Sequence, residues 1–262
     1  MTNRYAIIGD VIAEQHDSQF TPGGSAAIAI ALPALGGSVR LRSVIATDQA
    51  GKAVLDHLRK ARIHPGLIDR VDNASSTIIE RDDRGQTISR TPGIGIQKGA
   101  IMDVYDLFGH DALILDTRDQ PLRRFLTDLP AHTDGNVRLI STLSHLDWQD
   151  PTPDDLEIAM RCDAIVGTTT QLAALTGQSS PSEALGDIYD RMPGTQLRAA
   201  IAITNSGIEL IAREDRVLRP VQDSIPDILM PRVAAGIAWG LANHVSWELA
   251  ATVAIDPAQA TV

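Results

Sequence analysis

The chain has 262 residues, 44% of them hydrophobic, which is enough to bury a sizeable core and too apolar for a disordered chain. Lys and Arg number 23 against 33 Asp and Glu, a formal net charge of −10; with no basic cluster present, a phosphate backbone is repelled and nucleic acid is not an expected partner. The longest apolar run, Ala26–Leu35, falls short of the roughly 20 residues of a membrane span, and no basic and apolar leader opens the sequence.

A single cysteine, Cys162, excludes an internal disulfide, so a reducing cytoplasm is the expected compartment. In chain order, Tyr5–Ala13 reads as one apolar strand. Gly23-Gly24 opens a small-residue helix running to Leu32, and Gly36-Gly37 ends it, as glycine past a helix C-terminus does. A strand at Ser38–Ala46 and a helix at Gln49–Ala61 follow, the helix with apolar spacing at Val54, Leu55 and Leu58. Residues 77–90 alternate as a hairpin that turns at 83–85. From residue 112, short apolar strands (112–115, 137–140, 164–166 and 200–204) alternate with helical stretches near 119–129, 153–161, 168–176 and 181–191. That order predicts right-handed crossovers and a mainly parallel sheet covered on both faces. A second hairpin, 208–212 with 217–220, leads into closing helices at Pro231–Asn243 and Ser246–Ala254. No repeat or long linker divides the chain, so residues 1–262 read as one α/β domain.

Three motifs recur in the order and spacing of one family: Gly23-Gly24 with the helix behind it, Ala46-Thr-Asp-Gln-Ala-Gly51, and Ala234-Ala-Gly-Ile-Ala-Trp-Gly-Leu241. From about Ile7 to Ala254 the chain resembles the ribokinase-like (phosphofructokinase B type) carbohydrate kinases. The resemblance implies a three-layer α/β/α sandwich with a mainly parallel sheet and a β-lid. It also implies ATP with Mg, a small sugar-like alcohol as substrate, and pairing of two copies through their lids as a homodimer.

Phosphoryl transfer requires a carboxylate to take the proton of the attacking hydroxyl, backbone N–H groups at a helix N-terminus to hold the phosphoryl group, and a metal ion. The family carries an Asp-Thr-x-Gly-Ala-Gly-Asp run before its last long helix for the first two. This chain has Asp223-Ser-Ile-Pro-Asp-Ile-Leu-Met-Pro-Arg-Val-Ala-Ala-Gly236. Aligned on Ala235-Gly236, Pro231 falls at the base and Ile228-Leu-Met230 at the Gly-Ala-Gly. Proline offers neither an acceptor side chain nor an amide donor, so the expected anion hole is dismantled. Asp227 remains as the candidate catalytic base; its other reading is a cap, since Ser224-Ile-Pro-Asp227 fits a capping box. Pro231 sits most easily as the first residue of the final helix.

Family members also show Asn-x-x-Glu before a Leu-Thr-Gly. Here Thr168 stands for the Asn and Gln171 for the Glu, and a neutral amide lacks the charge a dication requires. Thr168 is nonetheless a good N-cap. Thr204, Ser206 and Gly207 lie in Ile203-Thr-Asn-Ser-Gly207, which resembles the family's Thr-x-Gly turn against ATP phosphates, Gly207 matching at a shift of one residue. On the substrate side, Glu14 falls where a sugar-binding Asp is usual, and Gly23 and Gly24 match the family pair, with an equal claim as a tight turn. The family's Asn after that pair is Ile28. Asp48 and Gly51 match an Asp-x-x-Gly that reads as a helix start.

Residues 15–22 are too few for a two-stranded flap of useful length, which leaves a reduced lid near 15–22 and 77–90. The seven histidines show no metal-ligand spacing, and no metal site of the chain's own is expected. The sequence therefore reads as a carbohydrate-kinase homologue with a degraded transfer site, weakly active or inactive and acting as a ligand-binding protein. The alternative is an active sugar or nucleoside kinase that uses Asp227 as its base.

Overall fold

Strands apolar on both faces belong at the centre of a sheet with helices on each side, since neither face meets water. The computed structural model, which describes residues 2–99, 107–129, 137–205, 207–213, 216–220 and 229–260, places them there. The chain begins with β1 (Arg4–Gly9), β2 (Val11–His16), β3 (Gln19–Gly23), α1 (Gly24–Ala31), β4 (Ser38–Ala46) and α2 (Gln49–Lys60). It continues through β5 (Ile68–Val71), β6 (Thr77–Arg81), β7 (Thr87–Thr91), β8 (Ala112–Asp116), α3 (Gln120–Asp128), β9 (Arg138–Thr142) and α4 (Pro153–Ala159). Then come β10 (Ala164–Thr168), α5 (Thr169–Thr176), α6 (Pro181–Arg191), β11 (Ala199–Thr204), β12 (Gly207–Ala212), β13 (Arg216–Pro220), α7 (Leu229–Ala242) and α8 (Trp247–Ile255).

The main sheet has nine strands in the order β13-β12-β11-β10-β9-β8-β1-β4-β5. Its pairs from β11 to β5 are parallel, and β12 pairs antiparallel with both β11 and β13. In β1, alternate residues serve opposite layers: Tyr5 and Ile7 join a core with Ile28 of α1 and Val233 and Ile237 of α7, while Ala6 and Ile8 join Leu122 and Leu126 of α3. The starts of α2, α3, α6 and α8 are fixed by Asp48, Asp119, Ser180 and Ser246, whose side chains accept from the N–H groups of Gly51, Leu122, Glu183 and Leu249. Such caps satisfy amide donors that a helix leaves without partners in its first turn. At the other end of the chain, α7 and α8 approach closely because Gly236 has no side chain: a Cβ there would lie 2.6 Å from Ala254 Cα.

One expected strand is two. The apolar run 5–13 breaks at Asp10, with β1 in the main sheet and β2 in a second sheet. The cause is the buried Asp10 carboxylate, which accepts from Ile96 N at 2.9 Å, Arg118 N at 2.8 Å and Arg118 Nε at 3.1 Å. Its carbonyl meanwhile accepts from Ser25 N and Oγ at 3.2 and 2.8 Å. These bonds hold the chain where it leaves the main sheet.

The second sheet has four strands, in the order β3-β2-β6-β7. This corrects the expectation that residues 15–22 are too few for a flap. The hairpin takes its first strand from Val11, and a two-residue turn at Asp17 (φ 52°) and Ser18 links His16 to Gln19. The 77–90 hairpin pairs with it in parallel, Ile12 opposite Thr77. The final helix also begins earlier than expected, at Leu229. Pro231 is therefore third rather than first, still within the turn where an N–H has no intrahelical partner to lose.

Candidate functional site

In open α/β sheets ligands sit beyond the carboxyl ends of the strands, where loops and helix N-termini converge. Here a cleft of about 520 Å³ lies at that end of β8, β10 and β11, roofed by the second sheet. Glu14, Ile79, Arg81 and Arg90 come down from the roof, and Asp116, Ser144 and Asp147 rise from the floor. Gly24 and Ile28 of α1 form one wall, while Met230 and Pro231 of α7 and Thr168, Thr169 and Thr170 at the start of α5 form another.

The structure brings several expected residues together. Glu14 lines the cleft, but it is already engaged: Arg81 Nε and Nη2 donate to its two carboxylate oxygens at 3.1 Å each. A ligand hydroxyl would share this carboxylate with a guanidinium. Gly23 faces Glu14 across the hairpin, and a Cβ there would lie 2.8 Å from Glu14 Cγ. Gly24 adopts φ +54°, and a Cβ would fall 2.8 Å from the Asp10 carbonyl oxygen, so the turn into α1 requires glycine. The pair thus shapes the turn, and Gly24 also lines the cleft.

Thr204 also lines the cleft, and its hydroxyl donates to the Gly207 carbonyl at 3.0 Å. Gly207 closes that turn as the first residue of β12 and is not part of the cleft wall. Gln171 lies behind the wall, 2% exposed. Its Oε1 accepts from Thr168 N at 2.8 Å while Thr168 Oγ1 accepts from Gln171 N at 3.2 Å. This capping box uses two of the amides at the start of α5, where Thr169 and Thr170 line the cleft. Asp48 and Gly51 form a helix start, with Ser76 N also donating to the Asp48 carboxylate at 2.7 Å. Asp227 and Ser206 lie outside the described residues.

The sequence reading passed over Asp116. This carboxyl ends β8 and is 2% exposed. Oδ1 accepts from Thr142 Oγ1 and Ser144 Oγ, both at 2.5 Å, and Oδ2 has no hydrogen-bond partner among the described residues. Burial pushes its pKa up to about 7; the two hydroxyls act against burial, and the charges of Asp10 and Asp147 add to it. A carboxyl in this state exists in both protonation forms near neutral pH and can give or take a hydrogen bond. The available signal was an acid closing the apolar run Ala112-Leu-Ile-Leu-Asp116.

Behind the floor, a buried cluster sets the position of the 3₁₀ turn Ser144–Asp147. Arg123 Nη2 lies 2.8 Å from Asp155 Oδ1, and Arg123 Nη1 lies 2.9 Å from His145 Nε2. Burial, followed by the Arg123 charge, pulls the His145 pKa down to about 3, so the ring stays neutral beside the ion pair. Asp155 also accepts from Thr152 N and Oγ1 at 2.7 and 2.9 Å, which joins the cluster to the start of α4.

A mostly parallel sheet thus lies between helical layers, with a ligand-sized cleft at its carboxyl end under a smaller sheet. More particularly, the fold is that of the ribokinase-like carbohydrate kinases. Ribokinase from Arabidopsis thaliana, solved with ribose and ATP, superposes with a TM-score of 0.73 at 16% identity, over 97% of this chain and 92% of that one. A nucleoside kinase from Burkholderia thailandensis in complex with inosine gives 0.68 at 16%, over 98% and 90%. The tetrameric inhibited form of phosphofructokinase-2 from Escherichia coli gives 0.68 at 14%, over 97% and 92%. No family model and no curated protein matches the sequence. Among the described residues, no helix is long and apolar enough to cross a membrane.

Proposed function

We propose that this protein binds a small polyhydroxylated molecule, a sugar or a nucleoside, in the carboxyl-end cleft, and that phosphoryl transfer from ATP is weak or absent. The observation that carries the reading is the start of α7 in the cleft wall. Met230 and Pro231 stand there, where a transferring phosphoryl group would need close backbone N–H donors. Proline has no N–H, and methionine brings its side chain into the same space. The rest of the wall supports a neutral, hydroxylated ligand: Asp116 holds an unpartnered oxygen, and Glu14, Thr169, Thr170 and Asn205 are hydrogen-bonding groups around it.

Mg-bound triphosphate fits these residues poorly. Gln171 has no charge for a dication, and its carbonyl oxygen is committed to the α5 cap. Among the described residues no group of three His, Cys, Asp or Glu side chains is placed to hold a metal ion. Pairing of two copies through the four-stranded sheet accords with the exposed Ile88 on β7, 66% accessible, and light scattering tests it.

The experiment for the main reading is a calorimetric panel of ribose, other pentoses and hexoses, and inosine, beside an assay of ADP release with each. Saturable binding without turnover is the expected result. Turnover that Asp227→Asn abolishes would instead establish the kinase reading with Asp227 as base.

A further inference from the structure

The floor of the carboxyl-end cleft holds a buried carboxyl that the fold pairs only by half. Asp116 is fixed from both neighbouring strands. Its carbonyl oxygen accepts from Asp10 N at 2.8 Å. Gly9, opposite it in the β1–β8 ladder, has no side chain where a Cβ would lie 2.9 Å from Asp116 Cβ. On the other side, Thr142 at the end of β9 and Ser144 in the following turn hold Oδ1. Oδ1 thus takes two hydroxyl donors while Oδ2 takes none. Buried polar atoms in folded proteins are paired in the great majority, because an unpaired one is destabilising. Asp116 lines the cleft, which puts that unpaired oxygen beside whatever the cleft binds.

The charges around it do not pair it. Among the described residues, Asp10 at the end of β1 is bound to Arg118, and Glu14 in the roof is bound to Arg81. Asp147 in the floor is a like charge, and Arg90 in the roof makes no bond to the Asp116 carboxyl. The described parts of α1, α5 and α7 bring only uncharged side chains to the cleft.

We propose that Asp116 is a specificity-determining residue of this cleft: Oδ2 accepts a hydroxyl of the ligand as a carboxylate, and binding expels the proton that the carboxyl holds in the free protein. The inference rests on the reading of the cleft as a site for a sugar or nucleoside. With its pKa raised to about 7, chiefly by burial, Asp116 is protonated in about half of the free molecules at neutral pH. Because Oδ1 already has two donors, that proton sits on Oδ2. A hydroxyl donating to the same oxygen favours the charged form. Asp116 is already only 2% exposed, so the ligand strips little further water from it, and the donated bond is the larger effect. Charge-assisted bonds are about twice as strong as neutral ones. Affinity therefore rises with pH through about 7, and falls below it as the proton competes for Oδ2. A ligand that offered only a carbonyl or ether oxygen would need the protonated carboxyl as donor and would show the opposite sign.

The test is calorimetric titration of the full chain with ribose and with inosine at pH 6, 7 and 8, the pH 7 series in buffers of low and of high ionisation enthalpy. The expected results are affinity about five- to tenfold higher at pH 8 than at pH 6, and heats at pH 7 that differ between buffers in the direction of proton release. Asp116→Asn, whose amide stands where the protonated carboxyl would, binds with a flat pH profile and a buffer-independent heat. Ser144→Ala removes a donor that lowers the Asp116 pKa and moves the profile to higher pH, a change that lost packing alone does not produce. Saturable binding by the parent with proton uptake, or with a flat profile and a buffer-independent heat, overturns this inference and leaves the reading of the cleft standing. Absence of saturable binding of both probes overturns the inference together with that reading.

Discussion

Replacing Asp116 by asparagine keeps the size of the side chain and removes its titration. Raising a carboxyl from 3.8 to about 7 by burial costs its ionised form about 4 kcal/mol, at about 1.4 kcal/mol per pH unit. The folded carboxyl holds its proton up to about pH 7 and the unfolded one only to about pH 4. Between those values the folded state therefore binds the extra proton, and stability falls as pH rises through the window. Asparagine can accept the Thr142 and Ser144 hydroxyls as Oδ1 does, but its amide takes the place of an oxygen without a partner, at a cost of about 1–3 kcal/mol.

The stability difference should therefore change sign. At pH 4 Asp116→Asn is less stable than the parent by about 1–3 kcal/mol, and at pH 8 more stable by a similar amount, a swing of about 4 kcal/mol. Urea unfolding of both proteins at intervals across this range measures it. The difference is the quantity to follow, because His145, with its pKa lowered to about 3, gains stability with rising pH over part of the same range in both proteins. A difference that stays constant with pH would refute the argument that Asp116 is held protonated by burial.

Four further outcomes follow from the geometry. Asp155→Ala leaves Arg123 buried without its counter-ion and should cost about 3–5 kcal/mol in urea unfolding. Gly236→Ala places a methyl 2.6 Å from Ala254 Cα and should cost about 1–3 kcal/mol by forcing α7 and α8 apart, visible as a lower unfolding midpoint. Thr168→Val removes the side-chain half of the α5 cap and should cost about 1 kcal/mol. Glu14→Gln removes the charge that Arg81 pairs with at the roof of the cleft; affinity for the bound sugar or nucleoside should fall about tenfold, as for a lost charge-assisted hydrogen bond, in a calorimetric titration.

Elements with strong local signals were legible from the residues. β4 has the bounds expected, and α6 does as well, because Ser180 before Pro181 marks its start and Gly194 follows its end. The break at Asp10 was not legible. Residues 5–13 are apolar throughout except Asp10, and its partners at 96 and 118 are distant in sequence. The second strand of the flap was hidden for the same reason, since Val11–Ala13 read as the tail of the first strand. On the site, Thr168 was legible as a cap, and Gln171 proves to be the other half of that capping box. Asp116 looks in sequence like any acid ending a strand. Its character comes from burial and from hydroxyls 26 and 28 residues away, which only the packed sheet brings together.

The central claim is that this ribokinase-like fold retains a ligand cleft but has lost the means to hold a transferring phosphoryl group. Calorimetric titration with Mg·ATP, run beside ribose and inosine, tests it most directly. The account predicts saturable heat with a sugar or nucleoside, and weak, magnesium-independent binding of ATP or none. Micromolar, magnesium-dependent ATP binding accompanied by ADP release in the presence of a sugar would contradict it.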